Sequence, residues 1–263
     1  VLKTFIDEYY VYEKRVFEII DLEKQKDSRS AAPKAALSMS HVRFSYNNKE
    51  VLHDISFSIQ LNQKIGIVGK SGCGKTTILK LLLGLYTPTS GIVQKGESLK
   101  IGYMSQFPSM FFTSVRNNIT LSTNPSSVQK MKESVQQAHA DSFIKQNQNG
   151  YDNQLSSNED SYSGGELQRI SLSRLLYYDA DVFILDEPSS ALDYKTESEI
   201  KNILNQLNNK TIIVVTHRLS FVDNFDEIIV VNDGNIIETG SPSQLLKQNS
   251  FYKKMYAEQQ NMN

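Results

Sequence analysis

The chain has 263 residues, 39% of them apolar and 22% charged, which suits one large α/β domain with a substantial core and is too apolar for a disordered chain. Its 28 Lys plus Arg nearly cancel 29 Asp plus Glu, and a net charge of −1 argues against a protein held on nucleic acid or anionic lipid by bulk charge. A single cysteine, Cys73, excludes an intramolecular disulfide and a multi-thiolate metal site and points to a reducing compartment, and no apolar run reaches the roughly 18 residues that span a bilayer.

The chain opens on Val1 rather than Met and shows no signal peptide, so it reads as a piece of something longer. Over 1–26, Val1, Phe5, Tyr9, Tyr12, Val16, Ile19 and Ile20 recur at three- and four-residue steps, predicting an amphipathic helix whose aromatics lack a partner in the chain itself. Residues 27–37 are small and polar around Pro33, a linker. Val42, Phe44 and Tyr46 are spaced by two, Asn47-Asn48 makes a turn, and Val51, Leu52, Ile55, Phe57 and Ile59 follow, predicting a small antiparallel sheet over 37–59. A short buried strand at 64–68 leads through a glycine loop into a helix over 75–85, and another short strand falls at 101–104. Residues 107–161 are polar and Ser/Asn-rich, with one helix over 128–145. Next come a helix over 164–178, a strand at 182–185, a helix over 195–207 and a strand at 212–215. A hairpin turning at Asp233-Gly234 and a helical tail from Pro242 complete the chain. Continuous apolar strands separated by helices predict an α/β fold with a largely parallel sheet covered on both faces.

The chemistry starts at Gly69-Lys70-Ser71-Gly72-Cys73-Gly74-Lys75-Thr76, which fits G-x-x-x-x-G-K-[ST] directly between a strand and a helix. Glycines there let successive backbone N–H groups turn inward around phosphate oxygens, and the helix N-terminus adds partial positive charge. Lys75 is placed to reach the β- and γ-phosphates of a nucleotide, Thr76 to ligate Mg²⁺ through its hydroxyl, and Thr77 completes the phosphate-binding set. Asp186 and Glu187 end the apolar strand at 182–185. Ligands of open α/β sheets sit at that strand edge, so Asp186 is expected to hold Mg²⁺ through water and Glu187 to polarise an attacking water.

With these residues in place, the chain resembles the nucleotide-binding domain of exporter-type ATP-binding cassette (ABC) transporters. The distinguishing feature is a second glycine motif, Tyr162-Ser163-Gly164-Gly165-Glu166, standing where the family has Leu-Ser-Gly-Gly-Gln before a helix. The resemblance runs over 37–263 in the family's motif order, with 107–165 as its helical subdomain. It implies a P-loop NTPase (RecA-like) core with an antiparallel β subdomain and an inserted helical one. It also implies an ATPase using ATP and Mg²⁺, and a head-to-tail dimer in which Ser163, Gly164, Gly165 and Glu166 close on the γ-phosphate held by the opposite copy. Tyr46 falls where the family stacks an aromatic on adenine, Gln106 where it ligates Mg²⁺ and senses the membrane domain, and Asp193 in the loop that crosses the dimer interface. His217 falls where the family contacts the γ-phosphate, and Glu187, His217 and Lys75 make up the catalytic set. Cys73 lies within the phosphate loop, where a thiol reagent is expected to block binding and ATP to protect.

Exporter-like stretches at 14–20, 111–119, 151–155 and 240–246 imply that 1–36 follow a missing transmembrane domain, and that the cassette works at the cytoplasmic face of a membrane without a nucleic-acid partner. Three departures stand out. Tyr162 and Glu166 replace Leu and Gln, the segment 90–100 is short and predicts a trimmed edge sheet, and 156–160 lacks the glycine exporters place there. A soluble ABC ATPase without transport, or a catalytically weak regulatory half-site of a heterodimer, are the rival readings.

Overall fold

The computed structural model describes residues 35–122, 127–155, 162–189 and 192–260. The expected helix at 1–26, most of the linker after it, the segment 156–160, and positions 190 and 191 beside Asp193 lie outside them.

Two sheets form. β1 (Leu37–Tyr46) and β2 (Lys49–Ile59) pair antiparallel as expected, and β4 (Ser90–Lys95) pairs antiparallel with β1 on its other side. The second sheet runs β5-β6-β7-β3-β8-β9, where β3 is Lys64–Val68, β5 Ile101–Met104, β6 Val182–Asp186, β7 Thr211–Thr216, β8 Glu227–Asn232 and β9 Asn235–Gly240. Its first five strands are parallel and β9 closes the edge antiparallel.

Alternation along the central strands sorts the core into two layers. Ile65, Ile67, Val182, Ile184, Ile213 and Val215 face one side, with α1 (Lys75–Leu82) and the antiparallel sheet. Val68, Phe183, Leu185, Ile212 and Val214 face the other. That second layer packs on α5 (Gly164–Tyr178), α6 (Tyr194–Gln206), α7 (Pro242–Lys247) and α8 (Phe251–Gln260). Both faces are dry, so each fully buried Ile or Leu contributes roughly 1.5–3 kcal/mol and the strands read as unbroken apolar runs.

Three expectations change. The helix predicted over 128–145 is two, α3 (Val128–Gln137) and α4 (Asp141–Gln146). His139 takes φ 54°, Ala140 N–H donates to Val135 O at 2.9 Å and His139 N–H to Gln136 O at 3.0 Å, a Schellman stop with histidine in the glycine position. The same motif at Gly84 ends α1 at Leu82 rather than near 85. A further helix, α2 (Val115–Thr120), lies in the stretch read as irregular. Asn118, fully buried, and Arg174 of α5 secure it: Asn118 Oδ1 accepts from Phe111 N–H at 2.8 Å and Arg174 Nε donates to Asn118 O at 2.7 Å.

Candidate nucleotide site

The strand order places the C-terminal ends of β5, β6, β7 and β3 side by side, and each feeds one group into a common edge. Gln106 follows β5, Asp186 and Glu187 follow or end β6, His217 follows β7, and the glycine loop follows β3. A cleft of about 590 Å³ opens there, lined by Tyr46 and Val51 from the antiparallel sheet, by Ser71, Gly72, Gly74, Lys75, Thr76 and Thr77, and by Gln106, Glu187 and His217.

The loop's geometry is fixed by close packing. A Cβ on Gly69 would sit 2.1 Å from the Val231 carbonyl oxygen, and Gly74 takes φ 108° as α1 begins. Lys75 is buried and its Nζ donates to Gly69 O at 2.8 Å and to Lys70 O at 3.0 Å, closing the loop on itself. Cys73 N–H donates to Lys70 O at 3.3 Å while its side chain is buried under Gly69. Burial pushes that thiol up from its ordinary value, against the pull of Lys75. A protonated, buried thiol is a poor nucleophile, which weighs against the nucleotide-protected labelling expected at Cys73.

Asp186 is 5% exposed and its carboxyl is pushed up to about 6, first by burial and then by the charge of Glu187, with a hydrogen bond to Thr76 and the charges of Lys75 and Lys80 opposing. Its Oδ1 is buried without a hydrogen-bond partner among the described residues. Glu187 takes φ 47°, left-handed for a non-glycine, held by its N–H on Val215 O at 2.8 Å. Burial pushes its carboxyl up. The His217 side chain by hydrogen bond and charge, the His217 backbone N–H and Lys75 outweigh that and bring it below its ordinary value. His217 Nδ1 lies 2.8 Å from Glu187 Oε2, which also accepts from the His217 N–H at 3.2 Å. A carboxylate partner assigns the ring proton to Nδ1 and leaves Nε2 as the other hydrogen-bonding atom.

The raised Asp186 carboxyl has a measurable consequence. The folded chain binds this proton more tightly than the unfolded one, so stability falls as pH rises from about 4 to about 6 and stays lower above that. Moving the value from 3.8 to about 6 corresponds to about 3 kcal/mol. Asp186→Asn keeps the shape without the charge. Its urea midpoint is expected to exceed that of the parent chain at about pH 7.5 and to match it near pH 4. An equal or lower midpoint at the higher pH would contradict the burial argument.

Tyr46, 37% exposed, meets Phe44 edge-on at 4.8 Å and Tyr86 at 5.6 Å, an aromatic wall at the cleft mouth with Val51 beside it. Sequence reading missed Val51, whose apolar side chain carries no motif.

The second glycine motif does not line this cleft. Ser163 caps α5, its hydroxyl oxygen accepting from Glu166 N–H at 3.4 Å, while Glu166 Oε2 accepts from Ser163 N–H at 2.7 Å and from its hydroxyl at 3.0 Å. Ser163 and Gly164 are exposed. Tyr162 is buried edge-on against Phe143 at 5.7 Å. Asp193, exposed, caps α6 on Thr196 N–H at 3.0 Å. A Cβ on Gly165 would lie 3.2 Å from Leu192, so the motif and the Asp193 loop adjoin.

Asp186 with an orphaned oxygen, Thr76 beside it, and Gln106 on the same cleft offer only hard oxygen ligands. Among the described residues no group of three or more His, Cys, Asp or Glu could hold a metal by itself. This fits Mg²⁺, which keeps waters and shares phosphate oxygens.

A parallel sheet with a glycine loop, a helix N-terminus and an acidic pair on one edge defines a P-loop nucleotide-binding fold. The ABC transporter family profile matches residues 52–190, and the chain belongs to that family, whose cassettes bind ATP. It is 41% identical over 234 residues to the lactococcin-A transport/processing ATP-binding protein of Lactococcus lactis subsp. lactis, covering 84% of this chain and 32% of that one. It is 35% identical over 262 residues to the ATP-dependent lipid A-core flippase of Haemophilus influenzae (strain 86-028NP), covering 93% and 45%. The solved structure of a bacterial Atm1-family ABC exporter with ATP bound superposes with a TM-score of 0.80 at 28% identity, over 89% of this chain and 44% of that one. The chain thus spans 32% to 45% of the length of these proteins. No helix among the described residues is long and apolar enough to cross a membrane.

Proposed function

We propose that this chain is the ATP-hydrolysing cassette of an exporter. Residues 37–263 are the ATPase domain with 107–165 its helical subdomain, and 1–36 join it to a transmembrane domain of the same polypeptide at the cytoplasmic face of the membrane. The observation that carries the reading is the pairing of Glu187 with His217 at 2.8 Å on the same cleft as Lys75 and Thr76.

In this reading the loop from Gly69 to Thr77, with Lys70, Ser71, Gly72 and Gly74 contributing backbone N–H groups and Cys73 closing the turn through its N–H on Lys70 O, cradles the phosphates, and Tyr46 stacks on the base. Mg²⁺, held by Thr76, Asp186 and Gln106, would neutralise charge on the β- and γ-phosphates. Glu187 accepts the proton of the attacking water as its oxygen bonds the γ-phosphorus and the bond to the ADP oxygen breaks. The His217 hydrogen bond and charge hold the carboxyl below its ordinary value, so it meets the water as the carboxylate and its contribution comes from placement rather than from raised basicity. His217 orients Glu187 through its backbone N–H and Nδ1–H, and its ring reaches the γ-phosphate as a donor from Nε2 when both ring nitrogens carry protons. Ser163, Gly164, Gly165 and Asp193, away from the cleft in one chain and partly exposed, would meet the nucleotide of a second copy in a head-to-tail dimer, two sites per pair.

The test is the dependence of MgATP hydrolysis on chain concentration. A dimer-built site gives a specific rate that rises with concentration before it levels. A specific rate independent of concentration from nanomolar upward, or no hydrolysis at any concentration, would contradict the reading.

One feature bears on how readily such a pair closes. The Glu166 carboxylate already accepts from both the N–H and the hydroxyl of Ser163, the donors a partner's phosphate would need. Glu166→Gln removes that negative charge and is expected to raise turnover about 3- to 10-fold, mainly through a lower concentration for half-maximal rate. An unchanged concentration dependence would show that Glu166 does not restrain closure.

A further inference from the structure

Gln259 lies near the end of α8, far in sequence from every motif above. Its side-chain amide spans the backbone on both sides of Arg218. Leu219 N–H donates to Gln259 Oε1 at 3.0 Å, and Gln259 Nε2 donates to the His217 carbonyl oxygen. The two bonds fix the amide's orientation, because a flipped amide would set its NH₂ against the Leu219 N–H and its oxygen against the His217 carbonyl. His217 itself bonds Glu187 twice, through its N–H and its ring.

The rest of the neighbourhood makes this clamp stiff. Met255 and Tyr252, one and two turns before Gln259 on the same helix face, are buried in the core. Glu238 of β9 accepts from the Phe251 and Tyr252 N–H groups at the start of α8. On the loop side Arg218 pairs with Glu197 of α6, its N–H bonds Thr216 Oγ1 at 2.9 Å, and Lys201 bonds Ser220 O. Gln259 is therefore a rigidly mounted amide gripping the one loop whose histidine orients the acidic residue at the cleft.

We infer that Gln259 is a positioning residue for hydrolysis, holding the His217 backbone so that its N–H and ring stay on Glu187. The inference rests on the ATPase reading given above for Glu187, and it makes the C-terminal helix a working part of the site. Gln259 does not line the cleft, so its loss is expected to leave ATP binding in place.

The experiment compares the parent chain with Gln259→Ala, Gln259→Glu and, as a control on the exposed neighbour, Gln260→Ala. Gln259→Glu keeps an acceptor for the Leu219 N–H and loses the donor to the His217 carbonyl. Two readouts are taken. Amide hydrogen exchange on the nucleotide-free chain is expected to speed at Leu219 in Gln259→Ala by about tenfold or more, and at His217 in both Gln259 variants. MgATP turnover is expected to fall roughly tenfold in both Gln259 variants with KM within about twofold of the parent, and Gln260→Ala is expected to match the parent. Faster exchange at Leu219 alone, with His217 unchanged, overturns the inference whatever the turnover, because the clamp then stops short of the histidine. Unchanged kcat in Gln259→Ala, or a loss confined to KM, overturns it as well. A parent chain without ATPase activity would sink the functional reading while the exchange result still decides the clamp.

Discussion

Glu187→Gln is expected to lower MgATP turnover at least 100-fold while ATP affinity stays within a few-fold of the parent. The substituted amide has nearly the same shape and can still accept the His217 N–H, which lies 3.2 Å from Oε2. What it cannot do is take a proton from water, and general-base catalysis of this kind contributes typically 10²–10⁴-fold. The substitution also removes the neighbouring charge that helps raise the Asp186 carboxyl, so Asp186 ionises more readily and the metal donors are strengthened. With hydrolysis blocked and binding intact, the ATP-joined pair of chains is expected to accumulate and to run at dimer size in MgATP. Steady-state phosphate release and a binding titration measure the two halves. Turnover close to that of the parent chain would take Glu187 out of its role.

Lys75→Ala is expected to cost at least 100-fold in ATP affinity. Lys75 is 6% exposed and its ammonium closes the glycine loop on Gly69 O and Lys70 O while facing the cleft. Truncation removes a cation from the phosphate cradle, where charge-assisted hydrogen bonds are about twice as strong as neutral ones. It also takes the ammonium away from both loop carbonyls, leaving Lys70 O with the Cys73 N–H alone, so the side-chain link that closes the loop is lost. Titration calorimetry with ATP, alongside circular dichroism to show that the chain is folded, separates these effects from unfolding. Affinity within tenfold of the parent would contradict the cradle argument.

Most of the parallel sheet was legible in the sequence because its strands are buried on both faces. Phe183 and Ile184, or Ile212 and Ile213, point into opposite layers, so each strand is an uninterrupted apolar run. β4 was not legible for the opposite reason: at the edge of the antiparallel sheet it exposes Ser90, Gly91, Ile92, Gln94 and Lys95 and half-buries only Val93. Its presence means the short segment at 90–100 still supplies the third strand of that sheet. The stop between α3 and α4 was concealed because Ala138 and Ala140 favour helix and His139 gives no sign of a left-handed turn.

The site divides in the same way. Gly69 to Thr77, Asp186, Glu187 and His217 follow the ends of central strands, so finding the strands located the groups. Val51 reaches the cleft, and Gln259 the loop that carries His217, from distant elements with ordinary chemistry, and only the packed structure brings them there. Cys73 shows the limit of reading a loop by its letters, because its position in the motif says nothing of the direction its side chain takes.

Two glycine turns from two copies are expected to meet across one triphosphate, and the most direct measurement of this is a crystal structure of Glu187→Gln grown with ATP and Mg²⁺. The predicted result is a two-fold pair with each nucleotide on the Lys75 loop of one copy and the Ser163 hydroxyl of the other about 3 Å from its γ-phosphate. A structure with ATP seated on the Lys75 loop and Ser163 turned to solvent in every assembly would contradict it.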